Sequence, residues 1–214
     1  MATPPEHEVS PKGDLRRAQI LETAVQLFGE VGYRSTSLRD VAAKVGITHP
    51  GLLYHFHSKE ELLLEVLARR DEENNRLHRV HEDLLPIERL GMLVDIVGQN
   101  ASRQGLVEMF STLSTEAAGH EHPAREYFAN RYATMAASNE QMFTQLAELG
   151  LLREGIDPVM VARWILALVD GLQVQWLYDP EAVDVQAQLV GFLDTVLTRG
   201  FDELLTEQRS ERAA

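Results

Sequence analysis

Residues 36–59, TSLRDVAAKVGITHPGLLYHFHSK, read as two short helices joined by a turn. Leu38, Val41, Ala42 and Val45 fall at i, i+3, i+4 and i+7, the spacing of one buried helical face. Ser37, with Asp40 three residues on, predicts a capping box at the start of that helix. Gly46 supplies the left-handed residue that closes it, and Ile47 the apolar contact that usually follows. Thr48 then suits the N-cap of a second helix, with His49 and Pro50 in its first turn and Leu52, Leu53 and Phe56 turned to a core. Thr48, His49, Gly51, Tyr54 and His55 are left to project outward. Helix, glycine turn and helix make the helix-turn-helix signature, whose second helix enters the major groove of DNA. An ordinary helical hairpin has the same spacing, so the pattern by itself leaves both readings open.

Working outward, Leu15 to Val31 forms a long amphipathic helix with Ile20, Ala24, Leu27, Phe28 and Val31 on one stripe, ending at Gly32. That stripe would pack over the two short helices and complete a three-helix head. Arg16 and Arg17 at its start either reach phosphates or are simply solvated. Ser58, with Glu61 at the capping-box position, opens a further helix that is apolar at Leu62 and Val66. Its polar continuation, ARRDEENNRLHRVHED, suits a connector running from the head to a larger body, with Leu77 and Val80 as its last apolar positions.

The stretch from Arg16 to about Leu67 resembles the DNA-binding domain of the TetR family of bacterial regulators. The resemblance rests on Ala24, Leu27, Phe28, Gly32-Tyr33, Thr36, Val41-Ala42, Gly46-Ile47, His55-Phe56 and Lys59-Glu60-Glu61-Leu62. It implies a double-stranded DNA operator as partner, met by Thr36, Ser37, Arg39, Thr48, His49, Pro50, Gly51, Tyr54, His55 and Lys59. It also implies that Lys59 touches the DNA backbone, a role that a cation at the first turn of a helix could share with the backbone N–H groups there. The family usually has Tyr where Leu53 stands, so the phosphate contact assigned to that Tyr is not carried over.

The net charge of −13 would by itself argue against a polyanionic partner. Its distribution points the other way. Residues 11–59 hold seven Lys or Arg against four acids, including all three lysines of the chain, while the remainder is strongly acidic. A basic head on an acidic body would be oriented as it approaches DNA. Residues 1–13, with Pro4, Pro5 and Pro11 and no apolar period, read as a flexible tail. The expected organisation is that tail, a DNA-binding head over 14–57, a helical effector-binding and dimerisation body over 58–208, and a second tail over 209–214.

Past Pro86 the pattern is helical throughout: 87–102, 106–118, 123–149, a helix opened by Asp157-Pro158, and a last one from Asp184 through Leu204. An all-α fold follows, with no strand alternation or internal repeat. The last two helices are broadly apolar, which predicts a homodimer through them, the alternative being that both are simply interior; the family resemblance implies the dimer. There is no cysteine, hence no disulfide or thiolate chemistry. No apolar run is long enough for a membrane span, and the start of the chain lacks a signal-peptide pattern, so a cytoplasmic protein without a membrane partner is expected.

Catalytic chemistry is sparse. No nucleophile elbow, phosphate loop or paired-carboxylate motif is present, and the expectation is a protein that is not an enzyme and needs no cofactor. Glu116, His120 and His122 imitate a metal site, but the two histidines read as solvated loop residues, and His78 and His81 on the connector lack a third ligand; no metal is expected. By the family analogy a small-molecule effector would bind between the helices of 103–178. Met109, Phe110, Tyr127, Tyr132, Met135, Phe143, Trp164 and Trp176 are the expected apolar lining, with Asp170 and Gln173 as polar groups. The function these readings imply is a ligand-responsive transcriptional regulator, a repressor binding a palindromic operator as a dimer. The alternative is a DNA-binding interaction protein or activator without an effector.

Overall fold

The computed structural model describes residues 11–79, 84–119 and 121–213. The described residues form ten helices in order: α1 (Pro11–Val31), α2 (Leu38–Val45), α3 (His49–Leu53), α4 (Lys59–Arg79), α5 (Pro86–Asn100), α6 (Gln104–Ala117), α7 (Arg125–Glu148), α8 (Pro158–Tyr178), α9 (Val185–Val196) and α10 (Phe201–Ala213). Among the described residues there is no strand, only one isolated antiparallel bridge between Leu152 and Leu197. The all-α expectation is met.

Local chemistry sets most boundaries where the sequence places them. Ser37 Oγ accepts from Asp40 N–H at 3.2 Å and the Asp40 carboxylate accepts from Ser37 N–H at 2.8 Å, so the capping box is complete. Gly46 has φ of +77°, the left-handed conformation that releases the chain into the turn. Asp157 and Asp184 accept from Val159 and Ala187 N–H at 2.9 Å and start α8 and α9.

Four boundaries depart from expectation, one of them the tail expected over 209–214, which is helical as far as Ala213 in α10. Pro11 to Gly13 belong to α1, where proline in the first turn lacks only a donor that the helix does not use. The start of α7 is delayed to Arg125 because the His122 ring accepts from Ala124 N–H at 3.1 Å and holds a turn there. The expected last helix is two, α9 and α10, although its apolar period runs on unbroken. Leu197 is extended, Thr198 N–H donates to Leu151 C=O at 2.9 Å, and Asp194 accepts from Phe201 N–H at 2.7 Å to open α10. Val80, His81 and His120 lie outside the described residues.

Packing divides the molecule into two cores. One joins α1, α2, α3 and the start of α4 through Ile20, Phe28, Val41, Leu52, Phe56 and Leu62, and extends without a break to Met109, Leu113 and Ala117 of α6. The other joins α5, the end of α7, α8, α9 and α10 through Leu90, Val94, Phe143, Ile165, Leu193 and Phe201. The sequence places α6 in the body; in the structure it packs with the head. Much of the apolar surface expected at a dimer interface, including Leu189, Leu193, Val196, Phe201 and Leu204, is spent inside the second core.

Candidate nucleic-acid interface and effector cavity

The head is built so that α3 faces outward. Leu52 and Phe56 are fully buried while Tyr54, between them, is 76% exposed and lies edge-on to the His55 ring at 5.3 Å. Thr48 Oγ1 accepts from Gly51 N–H at 3.2 Å as the N-cap. Thr48 and Pro50 are exposed, and His49, Gly51 and His55 half-buried, so with Tyr54 none of the residues expected to face a groove from this helix is sealed in the core. Ser37 and Arg39 are exposed at the start of α2 beside them. Burial, with help from Arg17 and Arg16, lowers the His55 pKa.

Two residues expected at the DNA are placed otherwise. Thr36 is 2% exposed, and its hydroxyl donates to Gly32 C=O at 2.8 Å, which ties the turn after α1 to the end of that helix. Lys59 turns its ammonium inward: Nζ donates to Tyr33 C=O at 2.9 Å and Thr36 C=O at 2.8 Å, and sits 4.3 Å from the centre of the Tyr33 ring. Burial pushes its pKa down. These N–H groups hold the α1–α2 loop rather than reaching for a phosphate. Arg17 is likewise not free, although a third of its side chain stays exposed. It donates to His55 C=O at 2.9 Å, pairs with Glu65 at 3.1 Å and stacks 4.3 Å over Phe56, pinning α1 to the turn between α3 and α4 and to α4 itself.

The His122 expectation needs correction. The ring is 6% exposed, packed 5.0 Å from Tyr33, with Nε2 3.8 Å from the Glu116 carboxylate and lacking a hydrogen-bond partner. Because Nδ1 accepts from Ala124 N–H, a neutral ring carries its proton on Nε2. Burial lowers its pKa against the opposing pull of Glu116. Glu116 itself accepts from Tyr33 N–H at 3.1 Å, so α6 meets the head at this point. No group of three or more metal-ligating side chains occurs among the described residues, and none of the helices there is long and apolar enough to cross a membrane.

A cavity of about 540 Å³ lies between α6, α7 and α8. Phe110, Tyr132, Met135, Asp170 and Gln173 line it as expected; Gln173 and Trp176 line an adjoining cavity of about 410 Å³. Tyr132 donates to Asp170 at 2.7 Å. Burial and that hydrogen bond push the Tyr132 hydroxyl up to about 12, and burial raises Asp170. Four expected lining residues do not reach the cavity. Met109 and Phe143 are sealed in the two cores, Tyr127 packs edge-on against Phe128 at 5.1 Å, and Trp164 is 44% exposed on the outer face of α8. Missed were Ser111, Ser114, Thr115 and Ala118, which line the cavity from α6 at i, i+3, i+4 and i+7, and Arg131. A hydroxyl stripe at helical spacing on an otherwise apolar helix was the available signal.

An outward-facing second helix on a capped three-helix head, with a cavity in the helices beyond it, defines a DNA-binding transcriptional regulator. Residues 20–66 match the family described as "Bacterial regulatory proteins, tetR family", and residues 86–205 match "BetI-type transcriptional repressor, C-terminal". The chain belongs to the TetR family. It is 31% identical over 149 residues to the HTH-type transcriptional repressor KstR2 of Rhodococcus jostii, a match spanning 70% of this chain and 64% of that protein. A transcriptional regulator from Saccharomonospora viridis, solved in complex with choline, superposes with a TM-score of 0.72 at 25% identity, covering 87% of this chain and all of that one. AibR, solved with isovaleryl coenzyme A and operator DNA, superposes with a TM-score of 0.67 at 26% identity over 86% of this chain and 99% of that one.

Proposed function

We propose that the chain is a homodimeric repressor that binds a palindromic operator through α3 and is released when a small molecule occupies the cavity between α6, α7 and α8. The observation that carries the DNA reading is the outward edge of α3, where Tyr54 is exposed between two buried anchors. The relatives solved with choline and with isovaleryl coenzyme A differ in ligand, so no effector is transferred from either. Met160, Trp164, Ala167, Gly171, Val174 and Tyr178 make an exposed stripe along α8. A second copy of the chain would cover that stripe, with α9 alongside, and binding a palindromic operator requires such a pair to hold its recognition helices roughly 34 Å, or a multiple of that, apart.

Selection of duplexes from a random library tests the reading, and a two-fold symmetric site is the expected product. Against that site, Tyr54→Ala and His49→Ala should each narrow the gap between operator and random duplex by about 1–3 kcal/mol, as fluorescence anisotropy measures. Enrichment of no symmetric sequence, or an unchanged gap in both variants, would overturn it. Trp164→Glu should convert dimer to monomer in sedimentation.

A further inference from the structure

We infer that the buried His122 ring is a proton-sensitive latch between the head and α6, and that its protonation unseats the head and weakens operator binding. The inference rests on the head as the DNA-binding end of the chain. His122 lies in the segment between α6 and α7, with its side chain only 1% exposed. Its two nitrogens are placed differently. Nδ1 accepts from Ala124 N–H at 3.1 Å, which holds the turn before α7. Nε2 has no hydrogen-bond partner and faces Glu116 Oε2 at 3.8 Å.

The same carboxylate oxygen carries a contact between body and head, since Glu116 Oε2 accepts from Tyr33 N–H at 3.1 Å. A neutral ring with its proton on Nε2 leaves both hydrogen bonds intact. A proton added at Nδ1 would set two donors against each other in a buried site, so the Ala124 bond must break. The imidazolium then brings a full charge to Glu116, and a carboxylate drawn to Nε2–H is drawn away from Tyr33 N–H. Among the described residues, Tyr33 and Arg34 face the ring from the loop after α1, Lys59 from α4 and Glu116 from α6. Glu60 acts on Tyr33, and Arg125 is turned back onto the Ala118 and Gly119 carbonyls. Burial opposes the charged ring most; Glu116 favours it, and Arg34 and Lys59 oppose it. Lys59 cannot withdraw without giving up the Tyr33 and Thr36 carbonyls, so opening the joint is what relieves the charge. The loop that would move runs straight into Ser37 and α2, which shares a core with α3. Since the closed joint disfavours the proton, affinity is lost as pH falls below the ordinary histidine value near 6.5.

Fluorescence anisotropy on the selected operator duplex, from about pH 7.5 to about pH 5.5, compares the full chain with His122→Asn, whose amide oxygen can accept from Ala124 N–H but takes no proton. The two should bind alike at the upper end. At the lower end the unaltered chain should have lost at least about threefold more affinity, within the roughly tenfold per pH unit that one proton supplies. His49, His55 and His57 titrate in both chains and cancel in the comparison. Glu116→Gln keeps an acceptor for Tyr33 N–H and removes the charge that favours imidazolium. It should move the loss to lower pH, and it gives a second arm if His122→Asn fails to fold. Parallel profiles, or a loss unmoved in Glu116→Gln, overturn the inference. So does a fall in helical circular dichroism that tracks the affinity, which would make the effect unfolding rather than a latch. Without DNA, the Ala124 amide resonance should shift as His122 titrates, and an unmoved amide overturns the latch. Failure of every chain to bind duplex at the upper pH, with that amide shift present, would overturn the DNA role of the head and leave the proton-driven opening standing.

Discussion

Toward α1, α6 is packed almost backbone to backbone: a Cβ on Gly29 would come within 3.0 Å of Met109 N and 3.2 Å of Gly105 O, and Leu113 and Ala117 are buried beside it. Toward α7 and α8 the same helix leaves a cavity of about 540 Å³ faced with hydroxyls. One side has no room to move and the other has room to be filled. A ligand pressing on α6 therefore acts on a helix already seated against the head, through Met109, Leu113 and the Glu116–Tyr33 hydrogen bond. Sequence reasoning supplies only the covalent path through α4.

The sharpest break in that contrast is Gly29→Val. The branched side chain would have to force α1 from α6 against backbone atoms, and overpacking of this kind costs about 1–3 kcal/mol or more. Gly105→Ala meets nothing within 4 Å and should instead gain about 0.5–1 kcal/mol from helix propensity. Urea denaturation at one protein concentration distinguishes them; similar effects would mean that the α1–α6 contact is not tight. Next in size is Lys59→Ala, which strips the Tyr33 and Thr36 carbonyls of their donor and should cost about 1–3 kcal/mol. A variant of full stability that had lost only DNA affinity would return Lys59 to the phosphate role. Thr36→Val removes the hydroxyl shared between Gly32 C=O at 2.8 Å and Leu27 C=O at 3.3 Å and should cost about 1 kcal/mol in the same measurement, with operator affinity retained by the folded fraction.

The smallest effect expected is a pH dependence at the same joint. His122 has a lowered pKa in the folded chain, so the unfolded chain binds more protons as pH falls. Its contribution is complete above the unfolded value near 6.5 and is lost as pH drops below it toward the folded value, by at most about 1.4 kcal/mol per pH unit. Tyr33, Arg34, Lys59 and Glu116 are the groups around it. His122→Asn, which keeps an acceptor for Ala124 N–H, should flatten the stability curve between about pH 5 and 7 relative to the unaltered chain. An identical curve would take His122 out of the pH dependence.

What the sequence reveals about this molecule is what neighbouring residues decide among themselves. Ser37 and Asp40, Gly46, Thr48, Asp157-Pro158 and Asp184 all act within three residues, and the helices start and stop at them. The roles of Arg17, Thr36, Lys59 and His122 depend on partners brought near by folding. A basic side chain at the edge of a DNA-binding head reads as a phosphate contact until its carbonyl partners are visible. In the body the aromatic residues are conspicuous and prove divided between core, outer face and cavity, while the cavity owes much of its wall to Ser111, Ser114 and Thr115. Hydrophobicity reports burial but not which buried surface it serves.

The elbow between α9 and α10 gives the second core its stiffness. Arg153 donates to Leu197 C=O at 2.6 Å and to Asp194 C=O at 3.1 Å, while its own N–H donates to Val196 C=O at 2.9 Å. With Thr198 bonded to Leu151, the loop before α8 and the turn after α9 are stitched together outside any helix. Amide protons of Arg153, Leu197 and Thr198 should therefore exchange as slowly as those of helix interiors. A part of the body stiffened in this way would absorb little deformation, and a displacement begun in the cavity would then fall on α6, the wall that also touches the head.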